Sequence, residues 1–204
     1  MGGSRSHWEE VYTAKRDMAV SWYQPHSVRS LEFIERASPD RRASVIDVGG
    51  GASTLVDDLI GRGFTDLSVL DIAEAPLERS KARLGKAAAE VTWIVGDITN
   101  WTPPRTWDVW HDRAVFHFLT ERAHQDAYIA ALTAATRPGA TAIFATFALD
   151  GPETCSGLPV QRYSPETLAR RLGPAFSLTG QASETHKTPS GSEQRFSYAV
   201  LRRQ

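Results

Sequence analysis

Cysteine occurs once in the 204 residues, at Cys155, so no internal disulfide can form and the chain suits a reducing compartment. No run approaches the roughly 18 apolar residues of a membrane span. The opening Met-Gly-Gly-Ser-Arg-Ser-His lacks the apolar segment of a secretory leader. A basic excess is missing too, with 23 Lys and Arg against 24 Asp and Glu, which argues against a general nucleic-acid binder. Lysine itself is scarce, 4 residues against 19 arginines, so the positive charges favour planar, bidentate contacts. Internal repeats and low-complexity tracts are absent. What remains reads as a soluble, cytoplasmic chain with one domain over 1–204, and 41% hydrophobic residues are enough for its core.

From about residue 42 onward, short β-branched runs alternate with helical patterns. Strands are expected at Ala43–Val48, Leu67–Asp71, Val91–Val95, Trp107–Asp112 and Thr141–Phe147. Helices are expected at Thr54–Ile60, Ala75–Leu84 and Glu121–Thr136, the last stopped by Arg137-Pro138-Gly139. This rhythm needs right-handed crossovers and gives a parallel sheet with helices on both faces. Two further helical segments, His7–Lys15 and His26–Ala37, precede it. Ser164-Pro165-Glu166 opens a last helix, with Ser as cap and Pro at its first position. Phe176–Thr185 and Arg195–Arg202 alternate across Thr-Pro-Ser-Gly and read as an edge hairpin.

The strongest local signal is Val45-Ile46-Asp47-Val48-Gly49-Gly50-Gly51-Ala52-Ser53. Three glycines between a strand and a helix let backbone approach a ligand closely, at the strand ends where open α/β sheets bind. A dinucleotide fingerprint read from Gly49 would need a small residue where Thr54 stands. The pattern acid-x-Gly-x-Gly, for S-adenosylmethionine, is met by Asp47 with Gly49 and Gly51, Gly50 lying between, and Asp47 would orient the ligand's ammonium. Asp71, with Ile72 beside it, ends the second strand, where a carboxylate accepts both ribose hydroxyls. Asp97 follows the third strand, placed to accept from the adenine amino group while Ile98 lines the ring.

These residues, in this order, resemble the class I (seven-stranded) S-adenosylmethionine-dependent methyltransferases. The likeness runs from about residue 43 through Arg137-Pro138-Gly139 to the terminal hairpin; Ser53 stands where a glycine is common. The resemblance implies a three-layer Rossmann-like sandwich with sheet order 3-2-1-4-5-7-6, only strand 7 antiparallel. It also implies N-terminal helices, here within 1–42, as a lid over a core at 43–204. The methyl donor's sulfur would then lie near the end of strand four, at His111-Asp112-Arg113.

Asp112 and Arg113 are therefore read as acceptor-facing catalytic residues, with Tyr23 as a third; the alternative is an ion pair that braces the loop. Asp-Arg here is similar to small-molecule thiol and thiopurine methyltransferases, and to the Asp-Lys of some protein-lysine methyltransferases. Trp8 and Tyr12, spaced i, i+4, are assigned to the cofactor lid, against plain packing. Trp22, His111 and His117 are assigned to the substrate side. Two histidines six apart without further ligands argue against a metal site. Trp93, Trp101, Trp107 and Trp110 read as core, and Gly151–Pro159 as a loop overhanging the pocket. Cys155 is not read as a nucleophile, since the transfer needs no covalent intermediate.

The expected activity is methyl transfer from S-adenosylmethionine to an N, O or S atom of a small molecule, by a monomer or homodimer with no nucleic-acid or membrane partner. A protein lysine is the alternative acceptor. A non-catalytic S-adenosylmethionine sensor is the alternative of another class.

Overall fold

The structure, a computed structural model, describes residues 3–14 and 20–204. Helices α1 (Arg5–Ala14) and α2 (Val28–Ala37) lead into β1 (Val45–Val48), α3 (Leu55–Gly61), β2 (Leu67–Asp71), α4 (Glu74–Leu84) and β3 (Val91–Val95). Then come β4 (Trp107–Arg113), α5 (Arg122–Ala134), β5 (Thr136–Phe147), α6 (Pro165–Leu172), β6 (Phe176–Lys187) and β7 (Glu193–Arg203). The sheet runs β3-β2-β1-β4-β5-β7-β6, and β7 alone is antiparallel to its neighbours, as expected.

Alternation along the strands builds a core on each face. Val45, Val109 and Ile143 pack with Leu31 and Ile34 of α2 and Leu55 and Leu59 of α3. Ile46, Trp110 and Phe144 pack on the other face with Tyr128 and Leu132 of α5 and Leu168 of α6. Strands β1 and β2 are buried throughout, the hydrophobic continuity of a parallel sheet covered on both sides. Trp107 and Trp110 are core, with Trp101 packed against both. No described helix is long and apolar enough to cross a membrane.

Several boundaries differ from expectation for local reasons. The Arg137-Pro138-Gly139 stop does not separate α5 from β5; it lies within β5. Trp107 already pairs with Thr136, and the register then shifts before Val109 meets Thr141, so the exposed Pro-Gly step is absorbed as an irregularity with Gly139 at φ 94°. The β6–β7 hairpin is longer than its alternation suggested, reaching Lys187 and Glu193 around the Thr188–Gly191 turn. In α6, the Ser164 hydroxyl accepts from Thr167 N while the Thr167 hydroxyl accepts from Ser164 N, a reciprocal cap. Of the segment His7–Lys15, Lys15 lies outside the described residues.

Candidate functional site

The carboxyl ends of β1, β2, β3 and β4 border a cavity of about 630 Å³, a size suited to a small-molecule ligand. Gly49, Asp71, Ile72, Asp97 and Ile98 line it, so residues from three strand ends meet in one space. A smaller chamber of about 40 Å³ adjoins it, lined by Asp47, Gly50, Tyr23 and His111, and sharing Gly49, Tyr12, Trp22 and Arg113 with the larger one. Gly51 borders neither: a Cβ there would lie 2.6 Å from Asp71 Oδ2 and 3.3 Å from the Tyr12 hydroxyl oxygen.

Asp71 is buried, and its Oδ1 accepts from Ala73 N at 2.9 Å. Burial, with the charges of Asp47 and Glu9 adding to it, pushes its pKa up to about 7 against that hydrogen bond. Asp97 Oδ1 accepts from the Thr99 amide and hydroxyl, an arrangement that fixes the turn after β3. Asp47 Oδ1 lies 2.7 Å from His111 Nδ1, on the adjacent strand and in register with it. His111 is thus a buried bridge between Asp47 and Ser30, at the edge of the smaller chamber.

Aromatic residues roof the cavity. Trp8 meets Trp22 edge-on at 5.9 Å and Phe118 at 5.1 Å, and Tyr12 meets Trp22 at 5.9 Å. Helix α1 is latched to α4 at its middle and near its C-terminal end: the Glu9 carboxylate accepts from Glu74 N at the start of α4, and Arg79 donates to the Tyr12 carbonyl. Cys155 also lines the cavity. It sits in a two-residue ribbon, Thr154–Cys155 with Leu158–Pro159, so the loop after β5 does overhang the space.

Three substrate-side assignments do not match the geometry, and the first is His111, whose two ring nitrogens are both taken up by Asp47 and Ser30. Asp112 is fully buried and lines neither chamber. Its carboxylate accepts from Val115 N, Phe116 N and the Tyr128 hydroxyl, closing the turn after β4. Consecutive strand residues point to opposite faces, so Arg113 faces the cavity because Asp112 does not. Nor is Asp112 half of an ion pair with Arg113; it braces the loop through amides and a phenol. His117 is also fully buried, away from both chambers, its Nδ1 accepting from Phe147 N at 3.3 Å. Burial, then the nearby Arg113 charge, pushes its pKa down to about 3, so it stays neutral. Sequence reasoning missed Val115, Phe118 and His124 as lining residues; they lie just beyond β4 and at the start of α5, where no spacing signals a pocket wall.

Residues 45–139 match the methyltransferase domain family. In mouse, the chain is 26% identical over 97 residues to "eEF1A lysine and N-terminal methyltransferase" and 24% identical over 107 residues to "EEF1A lysine methyltransferase 2". Each match spans 48% of this chain, but only 14% and 44% of those proteins' own lengths. Among solved structures, the N-methyltransferase NodS from Bradyrhizobium japonicum WM9, in complex with S-adenosyl-L-homocysteine, superposes with a TM-score of 0.73 at 14% identity. That superposition covers 98% of this chain and 99% of NodS.

Proposed function

We propose that this chain, a member of the class I S-adenosylmethionine-dependent methyltransferases, binds that methyl donor in the larger cavity and methylates a small molecule presented from the β4 side. The observation that carries the reading is the convergence of Asp71, Asp97 and the Gly49 turn on one cavity roofed by Trp8, Tyr12 and Trp22. The donor set fits the group. Asp71 offers a carboxylate to ribose hydroxyls, Asp97 one to an adenine amine, and Ile72 and Ile98 offer apolar surface to the ring. Asp47, held by His111, faces the smaller chamber, where an ammonium end would be neutralised. Aromatic faces around the roof favour a cationic sulfonium.

When bound, the donor supplies an electrophilic methyl group. The chain's own contribution is alignment and the exclusion of water, worth on the order of 7–11 kcal/mol for well-placed reactants. Asp112 supports that alignment from behind, by fixing the turn that carries Val115. Trp22 lines both chambers and Tyr23 the smaller one beside Asp47, so the acceptor is read as entering past Trp22. NodS is an N-methyltransferase, which supports nitrogen as one acceptor atom.

A second reading is supported by the names of the two mouse relatives, in which the acceptor is a protein lysine. One experiment separates the readings: purified protein, methyl-labelled S-adenosylmethionine and a cell extract divided by a small-pore filter. Label in the filtrate fits the small-molecule reading. Label on a protein band replaces it with the lysine reading, and label in neither, with tight cofactor binding, points to a sensor.

A further inference from the structure

Arg113 closes β4 and lines both chambers, yet most of its donors have nothing to bond. Its Nη1 donates to the Trp22 carbonyl at 3.1 Å, and its guanidinium carbon lies 4.4 Å from the centre of the Phe196 ring. Nε and Nη2 are buried without a hydrogen-bond partner. Register places Arg113 beside Ala145, then Tyr198 and Ala182, across β4, β5, β7 and β6. The half-buried acid on that half of the sheet is Glu184: its Oε1 accepts from Gln24 Nε2, while its Oε2 is buried without a hydrogen-bond partner and forms no ion pair with Arg113. No described carboxylate lies within ion-pair distance of the guanidinium. His117 and His186 are both held toward the neutral form, by burial first and by Arg113 itself next, so neither adds to the positive charge.

A half-buried guanidinium with two buried, unbonded donor nitrogens and no counter-ion at ion-pair distance is costly, and the cost is offset when an anion arrives. Nε–H and Nη2–H form the side edge of the guanidinium, the edge a carboxylate meets with two parallel bonds. The Nη1 bond to Trp22 and the stacking on Phe196 fix where that edge points. Across β1 from Arg113, Asp71 and Asp97 line the nucleoside end of the cavity. Gln24 Oε1, also buried and without a partner, leaves an acceptor for a hydroxyl or amine on the same ligand.

We propose that Arg113 anchors a carboxylate, or a comparable oxyanion, of the methyl acceptor, and so restricts the acceptors to small anions. The inference rests on the small-molecule methyltransferase reading and adds the acceptor's class. The other source of a carboxylate is the methyl donor's own amino-acid end. The guanidinium stacks on Phe196 of β7, across β4 from the β1 turn, which favours the acceptor; Arg113 also borders the smaller chamber beside Gly49 and Asp47, so the calorimetric arm of the test separates the two sources.

The test starts from a small-pore filtrate of cell extract, passed over an anion-exchange resin at neutral pH. Flow-through and volatile-salt eluate are each dried and incubated with purified protein and methyl-labelled S-adenosylmethionine. The eluate is expected to support at least tenfold more labelling than the flow-through. Arg113→Met is expected to lower the rate at limiting eluate at least 100-fold, while S-adenosylhomocysteine affinity by calorimetry stays within threefold of wild type. Arg113→Lys keeps the charge without the fork, should fall between them, and carries the test if the methionine variant does not fold. Labelling confined to the flow-through overturns the inference. So does a loss of more than tenfold in S-adenosylhomocysteine affinity in Arg113→Met, which would give Arg113 to the donor's carboxylate. No label from the whole filtrate, despite tight cofactor binding, removes the small-molecule reading and this inference with it.

Discussion

His111 holds Asp47: Nδ1 of the ring lies 2.7 Å from Oδ1 of the carboxylate, and Nε2 lies 2.8 Å from Ser30 Oγ. A residue of β4 thereby fixes the acid of β1 and ties both strands to α2. His111→Ala leaves a buried carboxylate and a buried hydroxyl short of a partner, a loss of about 2 kcal/mol. In a chain of this size that lowers Tm by roughly 4–8 °C. S-adenosylhomocysteine affinity should fall as well, because Asp47 is no longer oriented. Thermal melts with and without that ligand check both; an unchanged melt and an unchanged ligand-induced shift would refute the bridge.

Asp71 carries a predicted conflict between stability and binding. Its folded-state pKa, about 7, stands above the ordinary carboxylate value of about 4, so the native state holds the proton more tightly than the unfolded chain. The stability it contributes is present below about pH 4 and is lost as pH rises through 7. Asp71→Asn removes that loss, and the variant without ligand should melt higher than wild type at pH 8. The same variant should bind S-adenosylhomocysteine at least tenfold more weakly, since an amide cannot accept from both ribose hydroxyls through paired carboxylate oxygens. In wild type, affinity should decline below about pH 7 as the proton competes. Calorimetry and melting curves across pH 5–8 read all three effects, and a pH-independent affinity would take Asp71 out of the binding contact.

The strand order and the cavity-lining acids were legible because they rest on short-range signals. A β-branched run ends in Gly49-Gly50-Gly51, and acids recur at successive strand ends, where a parallel sheet must bind. Which face Asp112 and Arg113 take was not legible as a pair. Both sit at the end of β4, and strand alternation sends only one to the cavity; nothing local says which. The choice is made by Tyr128, 16 residues later on α5, whose hydroxyl reaches Asp112. His117 was misplaced for a similar reason. A short 3₁₀ turn at Phe116–Phe118 rotates it toward Phe147, and single-turn helices leave no periodic trace.

Asp112 is a brace, and its replacement should act on stability before chemistry. The carboxylate, pushed up to about 6 by burial, is held by two amides and the Tyr128 hydroxyl at 2.5 Å, while Tyr128 in turn accepts from Trp110 Nε1. Asp112→Ala should cost about 3 kcal/mol through stranded amides and a stranded phenol. Tyr128→Phe should cost less, and the double variant should cost clearly less than the sum, because the two share one network. Denaturant unfolding of the three proteins measures that coupling. Additive losses, or a catalytic defect in Asp112→Ala with normal stability, would return Asp112 to the acceptor side.

Gly51→Ala is the sharpest probe of the cofactor end. Gly51 sits at φ 29°, outside the range L residues favour, and the added Cβ would lie 2.6 Å from Asp71 Oδ2 and 3.2 Å from Pro76 Cβ. Asp71 cannot swing clear at little cost, because Ala73 N holds its other oxygen. The methyl group therefore turns the carboxylate away from the ribose position, and affinity for S-adenosylhomocysteine should drop at least tenfold. Strain at the turn itself should cost about 1–3 kcal/mol. The binding loss acts through Asp71, so Gly51→Ala introduced into Asp71→Asn should weaken binding by threefold or less beyond the single Asp71→Asn variant. A full additional tenfold loss there would show that Gly51 serves the ligand directly through backbone approach, and that Asp71 is only its neighbour.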